Sequence, residues 1–246
     1  MATYNITDHT PEELHERLAP LGLSAVAVRR IYSYAVQYHH PELPCEPPVP
    51  EAPAQGAEGA EAPAGVESYQ IRGLALPTRA LLRRVLRRPR LTVVERRRAA
   101  DGFVKYLFRT PPSTSAPGGD LIEAVRIPLF DKKYTLCVSS QVGCALACGF
   151  CATGRMGFLR NLETWEIVEQ VRTIRAEADR PVKGVVFMGM GEPFLNYDNV
   201  IRAARIFSHP CGLGISARAI SISTAGIVPA IRRFTAEGHK FRLAFS

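Results

Sequence analysis

Residues 135–151 read TLCVSSQVGCALACGFC, a short apolar run followed by three cysteines, Cys144, Cys148 and Cys151, within eight residues. TLCVSS has the β-branched content of a strand, and Gly149 with the tight cysteine spacing leaves no room for a helix, so the thiols fall on a loop. Beyond that loop the chain alternates. ETWEIVEQVRTIRAEA has helical periodicity, KGVVFMGM is strand-like, and YDNVIRAARIF is helical. ARAISIST, VPAIRRFTAEG and KFRLAFS repeat the alternation to Ser246. Four strands separated by three helices predict parallel βα units, and the fold class expected is α/β, a partial (β/α) barrel of about four units. A complete barrel takes roughly 200 residues or more, so a half-barrel truncated after its fourth strand is expected, with an open edge prone to aggregation or dimer pairing.

Upstream the pattern is different. Thr10-Pro11-Glu12-Glu13 has the form of a helix start, and Leu14, Leu18 and Leu21 follow at helical spacing before Gly22. A second helix from Ser24 would bury Val28, Ile31, Tyr32 and Ala35, giving a helical hairpin over residues 1–40. Residues 41–68 hold seven prolines and six glutamates with no Lys or Arg, a composition that predicts a disordered insertion. Within 69–130, PTRALLRRVLRR reads as an amphipathic helix. LTVVERRR, the Asp101-Gly102 turn and FVKYLFRT read as a hairpin, with LIEAVRIP adding a third strand. The domains expected are thus 1–40, 41–68, a small α+β accessory unit at 69–130, and the half-barrel at 131–246.

Hydrophobic residues make up 46% of the 246, enough for a substantial core, and no apolar run is long enough to span a membrane. Six cysteines are too few for a disulfide-stapled scaffold, and the N-terminus lacks a signal-peptide pattern, so a soluble cytoplasmic protein is expected. The net charge of +8 is concentrated between Arg79 and Arg98, with nine arginines against Glu95 alone. Such a cluster suits a phosphate-bearing partner or, equally, a solvated helix face. Phe103, Tyr106 and Phe108 read as hairpin core before base-stacking groups.

Three thiolates on one loop suit a soft metal. Structural zinc usually takes four protein ligands, and no His lies near to complete a set, although zinc stays open as a rival. A four-iron four-sulfur cubane held by three cysteines leaves one iron without a protein ligand, and that reading is favoured.

The aromatic Phe150 before the last cysteine resembles the radical S-adenosylmethionine (SAM) superfamily. The longer string YTLCVSSQVGCALACGFCATGRMGFLRNL, with VVFMGMGEPFLNYDNV and ISISTAG, resembles the radical SAM methyltransferases that modify carbon 2 of adenosine in ribosomal and transfer RNA. That resemblance implies a [4Fe-4S] cluster on Cys144, Cys148 and Cys151, with SAM on the open iron. It further implies SAM contacts by Gly191, Glu192, Ser223 and Ser246, two SAM per turnover and an electron donor. Glu123 matches the family's proton acceptor, and Cys137 matches the thiol that resolves a covalent RNA adduct and leaves a transient disulfide. The methyl-carrying cysteine matches neither Cys45 nor Cys211, so the 246 residues are expected to be inactive alone, the remainder lying in an absent C-terminal half or a second polypeptide. RNA contacts are expected from Arg79, Arg83, Arg84, Arg87, Arg88, Arg96, Arg97 and Arg98. The alternatives are methylation at adenine carbon 8 and a non-catalytic RNA-binding remnant.

Overall fold

The computed structural model describes residues 2–37, 76–130 and 132–246. The segment read as an insertion, 41–68 with Cys45, and the side chains of Arg79 and Arg83 lie outside the described residues. After a two-residue strand β1 (Tyr4–Asn5), helix α1 (Pro11–Leu18) starts as its sequence dictates. The Thr10 hydroxyl accepts from the Glu13 amide at 3.3 Å and the Glu13 carboxylate accepts from the Thr10 amide at 2.8 Å, a reciprocal capping box. Gly22, at φ 81°, turns the chain into α2 (Ala25–Val36), which Ser24 caps and which buries Val28, Ile31, Tyr32 and Ala35.

Helix α3 (Leu76–Val85) buries Leu82 and Val85 and runs into β2 (Leu86–Arg87), which pairs in parallel with β1. Strands β3 (Thr92–Arg98) and β4 (Val104–Arg109) form the expected hairpin, with Gly102 at φ 87° in its turn, and β5 (Leu121–Leu129) adds to β4. Tyr106 and Phe108 stack on each other inside the core, their ring centroids 5.9 Å apart.

The alternating region supplies β6 (Lys133–Cys137), the short hairpin of β7 (Gln141–Gly143) and β8 (Phe158–Asn161), and helix α4 (Ala152–Arg155) between those two strands. Then follow α5 (Thr164–Ala176), β9 (Val182–Phe187), α6 (Tyr197–Ser208), β10 (Ile220–Thr224), α7 (Val228–Ala236) and β11 (Arg242–Phe245). Strands β6, β9, β10 and β11 are parallel and adjacent in that order, as βα units with short connections require.

The antiparallel strands do not form a separate sheet. Strand β5 pairs antiparallel with β6, so one seven-stranded sheet runs β11-β10-β9-β6-β5-β4-β3 across the expected boundary at residue 130. One face is buried: Tyr106, Phe108, Ile122, Leu136, Val185, Phe187, Ile220 and Ile222 are all 1% exposed or less. Phe187 stacks on Phe207 of α6. The N-terminal hairpin joins the same helical layer, where the Asp8 carboxylate accepts from the Trp165 amide at the start of α5 at 2.8 Å.

The opposite face is the one that matters for a site. A continuous register row crosses all seven strands: Arg97, Lys105, Val125, Cys137, Val186, Ser221 and Arg242 stand opposite one another in turn. Because strand side chains alternate, these residues share one face, as does Glu123 two positions before Val125.

Candidate functional site

The four parallel strands present their C-terminal ends at one edge, and Cys137, the cysteine loop, the Gly191-Glu192 turn, Ser223 and Ser246 end or follow them. The cysteine loop grows from the tip of the β7–β8 hairpin, where Cys144 donates its amide to the Gly157 carbonyl at 2.9 Å. Gly143 cannot be replaced there: its φ is 74°, and a Cβ would sit 1.8 Å from the Gly157 oxygen. The Cys151 amide donates to the Cys148 carbonyl at 3.0 Å and Cys151 becomes the N-cap of α4. Arg155 folds back with Nε and Nη2 each 3.1 Å from the Gly149 carbonyl. Hydrogen bonds from the Gly154 amide, then from Thr153, lower the Cys151 thiol pKa and favour the thiolate that binds metal.

Cys144, Cys148 and Cys151 are all free and half-buried, on a loop with no fourth ligand of the same kind. Among the described residues, no three Cys, His, Asp or Glu side chains converge as ligands of one ion do. Three thiols on one loop would supply three of the four corners of a four-iron cubane.

The second motif, Gly191-Glu192-Pro193, follows β9. Gly191 sits at φ 101°, and a Cβ there would come within 2.5 Å of the Gln141 side chain, so the motif's glycine is fixed by backbone and by space. Glu192 is 3% exposed. Its carboxylate accepts from the Phe194 amide at 2.9 Å and from the Ala225 amide at 2.8 Å, which ties the loop after β9 to the loop after β10. The side chain expected as a ligand contact thus also braces the two loops, one amide on each oxygen, with acceptor capacity left on both. The third and fourth expected residues meet directly: Ser223 Oγ lies 3.2 Å from Ser246 Oγ.

Three buried polar residues that the sequence reading passed over hold these loops together. Ser139 Oγ donates to the Glu123 carbonyl at 2.6 Å and accepts from the Met190 amide at 2.9 Å. Gln141 accepts from the Glu192 amide at 2.9 Å and donates to Asn161 at 2.8 Å. Asn196 donates to the Ser140 and Leu162 carbonyls, both at 2.7 Å. The signal available was the polar run Ser139-Ser140-Gln141 directly after a strand, where a solvated turn and a buried network look alike in sequence. Half-buried Arg160 adds to them: it bonds Asp120 at 2.7 Å and both Glu166 oxygens at 2.7 Å, anchoring β8 to the β4–β5 connection and to α5.

Residues 138–245 match the model of the radical SAM superfamily. A protein of Myxococcus xanthus named "Probable RNA methyltransferase" is 51% identical over 243 residues, 98% of this chain and 60% of that protein. The "Dual-specificity RNA methyltransferase RlmN" of Syntrophotalea carbinolica is 49% identical over 151 residues, 61% of this chain and 38% of that protein. The chain fits the radical SAM RNA methyltransferase family. A solved radical SAM methyltransferase from Sphaerobacter thermophilus superposes with a TM-score of 0.74 at 36% identity, covering 100% of this chain and 63% of the other. The chain thus spans less than two thirds of the length of each of these three relatives.

Within the radical SAM family frame, Cys137 and Glu123 lie on the open sheet face. Burial raises the Cys137 thiol pKa, against a hydrogen bond from the Met188 amide. The Glu123 carboxylate pairs with Lys105 Nζ at 2.6 Å. The arginine patch divides. Arg88 is 4% exposed and donates to the Ala35 carbonyl at 3.2 Å, so the expected phosphate contact is corrected for it: its guanidinium belongs to the packing of α2. Arg96 makes a two-point contact with Glu177, through Nε at 2.9 Å and Nη2, and Arg97 pairs with Glu95 at 2.6 Å. Arg84, Arg87 and Arg98 are exposed. Cys211 lies after α6, partly buried against the core and apart from these motifs.

Proposed function

We propose that this chain carries the cluster-binding and SAM-binding face of an enzyme that methylates carbon 2 of an adenosine in ribosomal and transfer RNA. The observation that carries the reading is the register row: the strand of Cys137 stands beside that of Glu123 on the open face, and the cysteine loop, the Gly191-Glu192 turn and Ser223 lie at the C-terminal ends of the neighbouring strands.

Cys144, Cys148 and Cys151 would hold a [4Fe-4S] cluster, with the fourth iron left for SAM. Gly191, Ser223 and Ser246 would flank the methionine portion, and Glu192 would fix the walls of that pocket through its two amide bonds. When bound, this pair supplies radical chemistry, which adenine carbon 2 needs because it is too poor a nucleophile for polar methyl transfer. The chain's own side chains then carry the proton and thiol steps. Glu123 takes the proton from the modified adenine carbon. The Cys137 thiolate then attacks the sulfur of the methyl-carrying cysteine, which lies outside these residues. The bond from that sulfur to the adduct's methylene carbon breaks, its electron pair passes to the RNA, the methylene takes a proton to become the methyl group, and a transient disulfide is left. Two SAM molecules would be consumed per turnover, one as methyl donor and one as radical source, with an external reductant supplying electrons. Exposed Arg84, Arg87 and Arg98 would meet RNA phosphates.

The test is nucleoside analysis of RNA after incubation with the reconstituted full-length protein, reductant and methyl-deuterated SAM. The expected product is deuterium-labelled 2-methyladenosine. Labelled 8-methyladenosine would move the target to carbon 8, and RNA binding without label would leave only a binding role.

A further inference from the structure

We propose that Lys105 is a positioning residue for this reaction, holding the Glu123 carboxylate in place beside the Cys137 row. The inference rests on the proposed roles of Glu123 and Cys137 and adds to them a residue that acts through one of them.

Lys105 Nζ lies 2.6 Å from Glu123 Oε1. Lys105 stands opposite Val125, and Val125 stands opposite Cys137, so the ammonium, the carboxylate and the thiol rise from one face across three adjacent strands. The next cation in the row, Arg97, is committed to Glu95 at 2.6 Å. Arg97 and Lys105 stand side by side in one row, with Glu95 and Glu123 flanking Leu107 in the next, and Lys105 is the cation in contact with Glu123.

The pair is half-exposed, 48% at Lys105 and 40% at Glu123, and pairs of this kind contribute little to stability. Its value lies in geometry. A proton acceptor must stand within hydrogen-bond reach of the proton it takes, and a half-exposed glutamate on a sheet face has several rotamers open to it. The ion pair selects one. Once RNA covers the face and water leaves, the attraction strengthens. In the step itself the proton moves from the adenine carbon to the Glu123 carboxylate, the electron pair stays in the ring, and Lys105 keeps its own protons.

A mutant cycle in the reconstituted holoenzyme tests this, using Lys105→Met, Glu123→Gln and the double variant, with Lys105→Arg as rescue. Glu123→Gln is expected to lower kcat about 100-fold, within the range of general acid–base effects. Lys105→Met should lower kcat roughly tenfold with KM unchanged, and Lys105→Arg should recover most of it. The double variant should match Glu123→Gln alone, because Lys105 has nothing left to position. A full additional loss in the Glu123→Gln background, or a rise in KM alone, would overturn the role of Lys105 and make it an RNA contact or a structural residue. Wild-type turnover by Glu123→Gln would instead sink the proton-acceptor reading, and Lys105 with it. Circular dichroism melting of each variant checks folding, and Lys105→Gln repeats the cycle if the Met variant fails to fold.

Discussion

The carboxylate of Glu192 and the amide of Ala225, 33 residues apart in sequence, lie 2.8 Å from each other. That bond, with the one from the Phe194 amide, makes Glu192 a tie between the loops that follow β9 and β10. Glu192→Ala should destabilise the fold by about 1–3 kcal/mol, because two amides lose a charged acceptor. It should also weaken SAM binding by loosening Gly191 and Ser223. Thermal melting and equilibrium SAM binding measure the two effects. A variant that loses SAM affinity with unchanged melting would return Glu192 to the role of direct ligand.

Arg160→Met should be among the more damaging substitutions in the chain. Glu166 is 2% exposed, and without the guanidinium it becomes a buried carboxylate facing no cation, at a cost of about 3–5 kcal/mol. The expected result is a large fall in melting temperature together with faster proteolysis within residues 144–160. Loss confined to a degree or two would show that the clamp is solvated in solution.

How much of this was legible in sequence varies with the kind of signal. Local rules placed the Thr10–Glu13 capping box, the hairpin at Gly102 and the four parallel strands, because capping, turn chemistry and periodicity are properties of neighbouring residues. The fusion of the antiparallel strands with the parallel ones depended on β5 pairing with β6, and Leu121–Leu129 looks the same whether its outer edge is free or paired. Arg88 looked like its basic neighbours, and only the docking of α2 shows why it is buried. Ser139, Gln141 and Asn196 were passed over for the same reason: polar side chains satisfied by distant backbone leave no periodic trace.

The reactivity of Cys137 should depend on pH in a defined direction. Burial raises the thiol pKa above its ordinary value of 9.0, so the folded chain keeps the proton at pH values where an unfolded chain would release it. The stability linked to that proton is complete below about pH 9 and declines as pH rises through the higher value. Alkylation of Cys137 by iodoacetamide, followed by peptide mass spectrometry, should be slow at neutral pH and still be rising past pH 9. A rate that levels off below pH 8 would show a stabilised thiolate and contradict the burial argument.

The most direct test of the account is the iron and acid-labile sulfide content of the anaerobically reconstituted protein. About four irons and four sulfides per chain are expected, as a cubane requires, and both should be lost on replacing Cys144, Cys148 or Cys151 by alanine. A single zinc ion, or iron that survives those replacements, would contradict it.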